Sequence, residues 1–526
     1  MKRFLPVRIA LLCATASACV PIAQPTAQTV TQSTMAERPA LVLAIVVDQM
    51  RYDYLTRFEH EFTGGLRRLL DEGAVFTNAS YEAAPTVTAV GHSTFLTGAT
   101  PSVSGIAGNA YYGRAEGRMI QSITDDNVTP LGGTENTGDG GGASPHRLAV
   151  TTVGDELKIS GKGGKVYGVS LKDRSAILPA GRDADGAFWF GDTGTIVSSS
   201  WYFPALPDWV QAYNATRPAE RYLGAEWLGR QLPTEASAGF FARLDAAPFA
   251  DELVLEFALQ VMHEEDLGTD QQTDLLAVSF SATDYLGHAT GTETPQMRQM
   301  ILSVDKRIGE LLAAAEEQAG RGNVLVVLTA DHGVALAPED NIARQLPGGR
   351  YDIEAERAAV EAALVAEFGE GDYIEGTGEL GLYLSRDPLP GKTIALADME
   401  RVAVATLRRQ PHVARVYTRS ELESSHSGGD RIDQRVRNGF NRQHSGDVVV
   451  VHEPNWISRA TGTTHGSPYS YDSHVPMIFW GPKTLVKPGR YHVEAAVHDI
   501  APTLATMLEI ATPSGAQGRA LAEILP

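Results

Sequence analysis

The chain has 526 residues, 43% hydrophobic and 21% charged, which argues for a folded globular protein and against global disorder. Its 64 acidic residues outnumber 44 basic ones, a net charge of −20 that repels nucleic-acid backbones and sets nucleic-acid binding aside. An anionic substrate would need local positive charge from metal ions, Lys or Arg.

The N-terminus has the form of an export signal. Lys2, Arg3 and Arg8 precede an apolar stretch over 9–14, and Ala16-Ser17-Ala18 follows the A-x-A cleavage pattern. The apolar part is too short to span a bilayer, and no other segment is long and apolar enough. Cys19 directly follows these small residues, as in a bacterial lipoprotein signal, but Ala16 stands where Leu is usual there. Simple cleavage is the first reading, lipidation at Cys19 the second. Either places the protein in the periplasm or outside the cell, membrane-attached only if lipidated. Cys13 and Cys19 are the only cysteines. The mature domain therefore has no disulfide and no thiolate ligand, and any zinc site must use His and carboxylates.

After a signal peptide over 1–18 and a Thr/Gln/Ala/Pro-rich tether over 19–38, residues 41–47 read as a strand buried on both faces. Similar runs recur at 166–170, 275–281, 324–329, 448–451 and 475–480. Helical patterns at 63–72, 295–318 and 498–509 alternate with them. The expected fold is an α/β sandwich around a mostly parallel sheet, with inserted cap segments. The catalytic core would comprise 39–181, 266–345 and 446–526. Residues 182–265, with Trp189, Trp201, Trp209 and Trp227, and residues 346–445 would be insertions. The second holds a small unit with a strand over 380–384, a helix over 397–409 and a strand over 414–417. The glycine-rich run 132–142 reads as a surface loop.

Four strands are followed by chemistry-bearing residues. Asp48 follows the first. Lys172 and Arg174 follow 166–170, Asp284 and His288 follow 275–281, and Asp331-His332 follows 324–329. Ligands of open α/β sheets bind outside the carboxyl ends of the strands, so these groups should converge. His465 stands between Gly462 and Gly466, which let the backbone approach a site closely. His474 competes with it for a ligand role but precedes a buried strand and reads as structural. The segment 85–98 reads as a turn, a helix and a Gly stop. Thr88 would sit at that helix N-terminus, where an anion or alkoxide is favoured, and His92 one turn in would be a buried supporting residue.

The segments VVDQMRYDYL, PTVTAVGHSTFLTGATPSVSGIAGN, SLKDRSAILPAG, SATDYLGHATG, LTADHG and THGSPYSYDSHVP resemble the bacterial threonine-nucleophile alkaline phosphatases of the PafA/PhoK type. This group lies in the alkaline phosphatase superfamily and is related to nucleotide pyrophosphatase/phosphodiesterases. The matches run in order over nearly all the mature chain. The resemblance implies two zinc ions per chain, one held by Asp284, His288 and His465, the other by Asp48, Asp331, His332 and Thr88. It implies Thr88 as nucleophile through a phosphothreonine, with Asn109, Lys172 and Arg174 on the phosphoryl oxygens. The expected substrates are small-molecule phosphate monoesters, and the expected state is a monomer. The alternative is a nucleotide pyrophosphatase/phosphodiesterase with the same metal site, and Lys172 and Arg174 favour the more highly charged monoester. The absence of a mature cysteine and of a Cys/Ser-x-Pro-x-Arg pattern sets a sulfatase aside. The export signal counts against a phosphoglycerate-mutase-like enzyme. A metal- or phosphate-binding protein without turnover would not need Thr88.

Overall fold

The computed structural model describes residues 38–133, 142–379, 381–388, 391, 393–424 and 428–526. The export segment with both cysteines, most of the glycine-rich run and Leu380 lie outside the described residues.

A ten-stranded sheet forms the centre. From one edge to the other it runs Gly489–Tyr491, Ala74–Phe76, Met477–Trp480, Val324–Thr329, Leu41–Val47, Thr273–Phe280, Gly163–Ser170, Gly186–Phe190, Ile196–Ser199 and Pro130–Leu131. The five strands from Val324–Thr329 to Gly186–Phe190 are mutually parallel, and Met477–Trp480 and Ile196–Ser199 pair antiparallel outside them. Leu41–Val47 is wholly buried because helices cover both faces of the sheet. Each such aliphatic side chain contributes roughly 1.5–3 kcal/mol relative to exposure.

The helices belong to those faces. Pro295–Ala319, 25 residues long, packs against Gly65–Glu72 and Pro248–Glu264. Its apolar positions Met297, Met300, Ile301, Val304, Ile308, Leu311, Leu312 and Ala315 recur at helical spacing and are buried. Thr294 caps it by accepting the Met297 amide. The helix expected over 498–509 is a 3-10 turn, Val497–Asp499, followed by Ile500–Leu508.

The run at 448–451 is real as a strand, Val448–His452, but it is not in the central sheet. It joins an antiparallel four-stranded sheet in the order Ile374–Gly378, Gly381–Leu384, Val448–His452, Val413–Thr418. Its burial is partial, with Val449 and Val450 half-exposed, as suits a sheet covered on one face. The strand–helix–strand unit expected there exists as Gly381–Leu384, Leu396–Leu407 and Val413–Thr418, with Val448–His452 inserted between its two strands.

Candidate metal centre

Four neighbouring strands deliver the site. Val324–Thr329, Leu41–Val47, Thr273–Phe280 and Gly163–Ser170 lie side by side, and their carboxyl ends are in register, with Val46 opposite Thr329, Val47 opposite Phe280, and Ser279 opposite Ser170. The residues just after them therefore emerge at one level. Asp48, Asp331 and His332 are completely or almost completely buried there, and Lys172 and Asp284 nearly so.

Two sets of ligand-type atoms result, each within 4.8 Å of one another. One is Asp48, Asp331 and His332. The other is Asp284, His332 and His465. His332 belongs to both, and its ring stacks on His465 at 3.5 Å. His288, expected beside Asp284 and His465, points its Nε2 at Asp284 Oδ1 from 3.1 Å, while His465 Nε2 lies 3.6 Å from the same oxygen. His474 is in neither set. It bonds to the Thr77 carbonyl and stacks on Tyr52.

The three imidazoles are oriented alike. Nδ1 of His288 faces the Thr463 carbonyl at 2.9 Å, Nδ1 of His332 the Gly333 carbonyl at 2.9 Å, and Nδ1 of His465 the Thr86 carbonyl at 2.8 Å. A carbonyl only accepts, so each Nδ1 carries the proton and donates, which leaves Nε2 for a cation. In the first set, Asp48 Oδ1, Asp331 Oδ2 and His332 Nε2 are buried and make no hydrogen bond. His332 Nε2 lies 3.6 Å from Asp48 Oδ1 and 3.3 Å from Asp331 Oδ2. Three mutually facing buried lone-pair atoms without partners are costly, and one divalent cation would satisfy all three. His and Asp donors without thiolate suit zinc.

The electrostatics agree. Burial, reinforced by Asp331, pushes the Asp48 carboxyl up to about 7, and burial raises Asp331 to about 6. Burial also acts on Asp284, but Lys172 and His288 hold it well below the usual carboxylate range. The Lys172 ammonium bridges Asp48 Oδ2 at 2.5 Å and Asp284 Oδ2 at 2.6 Å. Burial opposes that charge, yet Asp284 and Asp48 raise its pKa. The centre is thus an acidic pocket that draws positive charge.

Thr88 opens the helix Thr88–Thr97, whose ten residues are all buried and which closes at Gly98. This helix lies directly against the first set. A Cβ on Gly91 would overlap the Asp331 backbone, so only glycine allows the approach. His92 is locked by the Thr88 carbonyl at 2.9 Å and Ser279 Oγ at 2.8 Å, and burial lowers it to about 4. Thr86, two residues before Thr88, meets the second set through His465. The helix that Thr88 opens thus abuts the first set through Gly91, and the turn before it meets the second through Thr86. On the His465 side, Gly462 at φ +61 passes so close to the His288 carbonyl that a Cβ would collide.

Asn109 Oδ1 accepts the Ala89 amide at 2.9 Å, which ties it to the first turn of the same helix. Arg174 lies just inside the helix Asp173–Ala180, with Nη1 3.5 Å from Asp173 Oδ1 and Nε making no hydrogen bond. Asp173 is its ion-pair partner, and Tyr285, Asp48 and Asp284 also act on its charge.

Sequence reasoning missed several supporting groups. Gln49, at φ +63, donates its backbone amide to Asp331 Oδ1 at 3.0 Å and its side-chain amide to Asp284 Oδ1 at 2.5 Å. Thr283 donates its hydroxyl to the Asp48 carbonyl. Asp472 accepts both the amide and the hydroxyl of Ser467, bracing the loop after His465. The Lys172 ammonium stands over the Tyr285 ring at 5.1 Å. Adjacency was the one available signal, since Gln49 follows Asp48 and Tyr285 follows Asp284. Beside His465 a cavity of about 300 Å³ opens toward the four-stranded sheet, lined by Val87, Phe440, Trp456 and Tyr469 among others.

A family described as type I phosphodiesterase / nucleotide pyrophosphatase matches residues 42–474. The chain is 34% identical to alkaline phosphatase PafA of Elizabethkingia meningoseptica, covering 93% of this chain and 95% of that one. It is 33% identical to a calcium-transporting ATPase of Myroides odoratus (93% and 95% covered) and 33% identical to alkaline phosphatase PhoV of Synechococcus elongatus (93% and 93%). The crystal structure of wild-type PafA superposes with a TM-score of 0.85 at 33% identity, covering 93% of this chain and 99% of that one. Among the described residues no helix is long and apolar enough to cross a membrane. The chain belongs to the type I phosphodiesterase / nucleotide pyrophosphatase family, and within it to the bacterial alkaline phosphatases related to PafA.

Proposed function

We propose that the protein is a zinc-dependent alkaline phosphatase that hydrolyses phosphate monoesters, with Thr88 as nucleophile. The observation that carries the reading is the helix Thr88–Thr97, which abuts Asp331 through Gly91 and whose preceding turn meets His465 through Thr86, so that it adjoins both three-residue sets of cation-ligating atoms. Three buried orphan atoms in one set and three imidazoles whose Nδ1 atoms all face backbone carbonyls fit two zinc ions, with Asp48, Asp331, His332 and Thr88 holding one and Asp284, His288 and His465 the other. Two such ions would supply Lewis acidity on the attacking and leaving oxygens and lower the pKa of the threonine hydroxyl and of water.

The protein's own groups do the rest. Thr88 Oγ gives its proton to solvent and bonds to phosphorus as the bond from phosphorus to the leaving oxygen breaks, giving a phosphothreonine and an alkoxide that takes a proton from solvent to leave as the alcohol. Water then attacks phosphorus, frees Thr88 and releases inorganic phosphate. Thr88 opens a helix whose N-terminal end favours negative charge, while the Ala89 amide is taken by Asn109. Asn109, Lys172 and Arg174 would face the non-bridging oxygens, where charge must be stabilised in phosphoryl transfer. Release of Lys172 from its two carboxylates, once cations compensate them, makes its ammonium available to the substrate. The cavity beside His465 offers room for the organic part of the ester.

The family description favours a second reading, hydrolysis of a phosphodiester or pyrophosphate at the same centre. The buried Lys172 ammonium favours the dianionic monoester. Purified protein assayed with phenyl phosphate and with the matching diester, with zinc and with a chelator, distinguishes these. Preference for the monoester and loss of turnover with chelator are expected. Diester preference would overturn the monoesterase reading, and chelator-insensitive turnover the metal reading.

A further inference from the structure

Asn109 is gripped from two sides. Its Oδ1 accepts the Ala89 amide at 2.9 Å. Its backbone amide donates to Glu379 Oε2 at 3.0 Å, and its Nδ2 donates to Glu379 Oε1 at 3.0 Å. These partners fix which end of the side-chain amide is oxygen and which nitrogen. Two oxygens of one carboxylate receive two donors of one residue, so both rotation and position of the amide are defined. One Nδ2 hydrogen remains for a ligand.

Glu379 comes from the four-stranded sheet, at the turn between Ile374–Gly378 and Gly381–Leu384. That sheet is keyed to the Asn109 segment at a second point. Arg114, at the end of the strand Ala110–Gly113 that follows Asn109, reaches Asp447 at 2.6 Å, the Leu384 carbonyl at 3.0 Å and Glu375 at 2.9 Å. Asp447 is completely buried and also binds Arg386 and Arg419. Tyr112 rests on Tyr383 with ring centres 5.6 Å apart. The turn carrying Glu379 is therefore held in register with Asn109 from outside the central sheet.

We propose that Glu379 is a positioning residue. It orients the Asn109 amide so that its remaining N–H points at a non-bridging oxygen of the phosphoryl group, and the four-stranded sheet acts on the reaction through it. This rests on the reading of Asn109 as a phosphoryl contact. Glu379 is itself exposed and needs no role in the core, so its effect should pass through Asn109. A carboxylate near a dianionic substrate is otherwise unfavourable, which makes mere charge a poor reason for it to stand there.

A double-mutant cycle tests this. Glu379→Ala, Asn109→Ala, the double variant and Glu379→Gln are compared in zinc-loaded enzyme by kcat/KM for phenyl phosphate, by inhibition with inorganic phosphate and by Tm. Glu379→Ala is expected to lower kcat/KM roughly 10-fold and to weaken phosphate inhibition, as loss of a group that orients a contacting residue does. In the Asn109→Ala background it should change neither. Glu379→Gln, which keeps only one acceptor oxygen, should fall between. Equal loss in both backgrounds would show an anchor for the hairpin alone and overturn the proposal. So would a rise in kcat/KM on Glu379→Ala, which would mean that its charge dominates. Wild-type turnover in Asn109→Ala would instead overturn the phosphoryl-contact reading beneath it.

Discussion

At the residue scale, Thr88 is an ordinary helix-opening threonine until its neighbours are counted. Its helix touches Asp331 through Gly91, its preceding turn holds His465 through Thr86, and its carbonyl holds His92. Thr88→Ala should cut turnover by roughly 1,000-fold or more while leaving Tm near wild type and most of the metal bound, because the nucleophile is lost but Asp48, Asp331 and His332 remain as ligands. Steady-state assay beside metal analysis checks this. Gln49 makes a different prediction. It bonds carboxylates of both sets, through Asp331 and Asp284. Gln49→Ala should weaken metal affinity roughly 10–100-fold, as loss of a group that orients ligands does. Titration of zinc into the chelated protein reads it, and unchanged affinity would reduce Gln49 to a packing residue. Asp48, Asp331 and His332 were legible in the sequence because they directly follow buried strands. Glu379 was not, because its partner Asn109 lies 270 positions away and nothing local marks it.

At the element scale, the core strands at 41–47 and 324–329 coincide with the apolar runs in the sequence, since both are short, β-branched and buried on both faces. The run at 448–451 has the same composition but a different sheet. An apolar run reports burial, whereas partner choice depends on contacts far along the chain, here Val448 with Leu382 and Thr418. The helix Thr88–Thr97 makes the sharpest test at this scale. Gly91→Ala places a methyl group against the Asp331 backbone, so helix or strand end must move. Overpacking of this kind costs about 1–3 kcal/mol, and displacement of a nucleophile by about 1 Å can cost 100-fold in rate. Lower Tm together with lower kcat is expected. Normal kcat at reduced Tm would show that Thr88 tolerates the shift.

At the scale of the whole molecule, parallel strands converge on a centre with three buried carboxylates, Asp48, Asp284 and Asp331. Only Lys172 stands among them as a lysine or arginine in direct contact among the described residues. Cation binding should therefore stabilise the fold as well as activate it. A ligand at 100 times its Kd adds about 2.7 kcal/mol per site, so chelation should lower Tm and zinc should restore it. A Tm indifferent to metal would mean that the carboxylates are compensated otherwise.

Everything in the proposed mechanism turns on Thr88 taking the phosphoryl group. Acid quench of the zinc-loaded enzyme during turnover of a phosphate monoester, followed by peptide mass analysis, tests it directly. A phosphoryl group is expected on Thr88, absent from Thr88→Ala and from chelated protein. Turnover with no phosphorylated enzyme, or with the phosphoryl group on another residue, would contradict it.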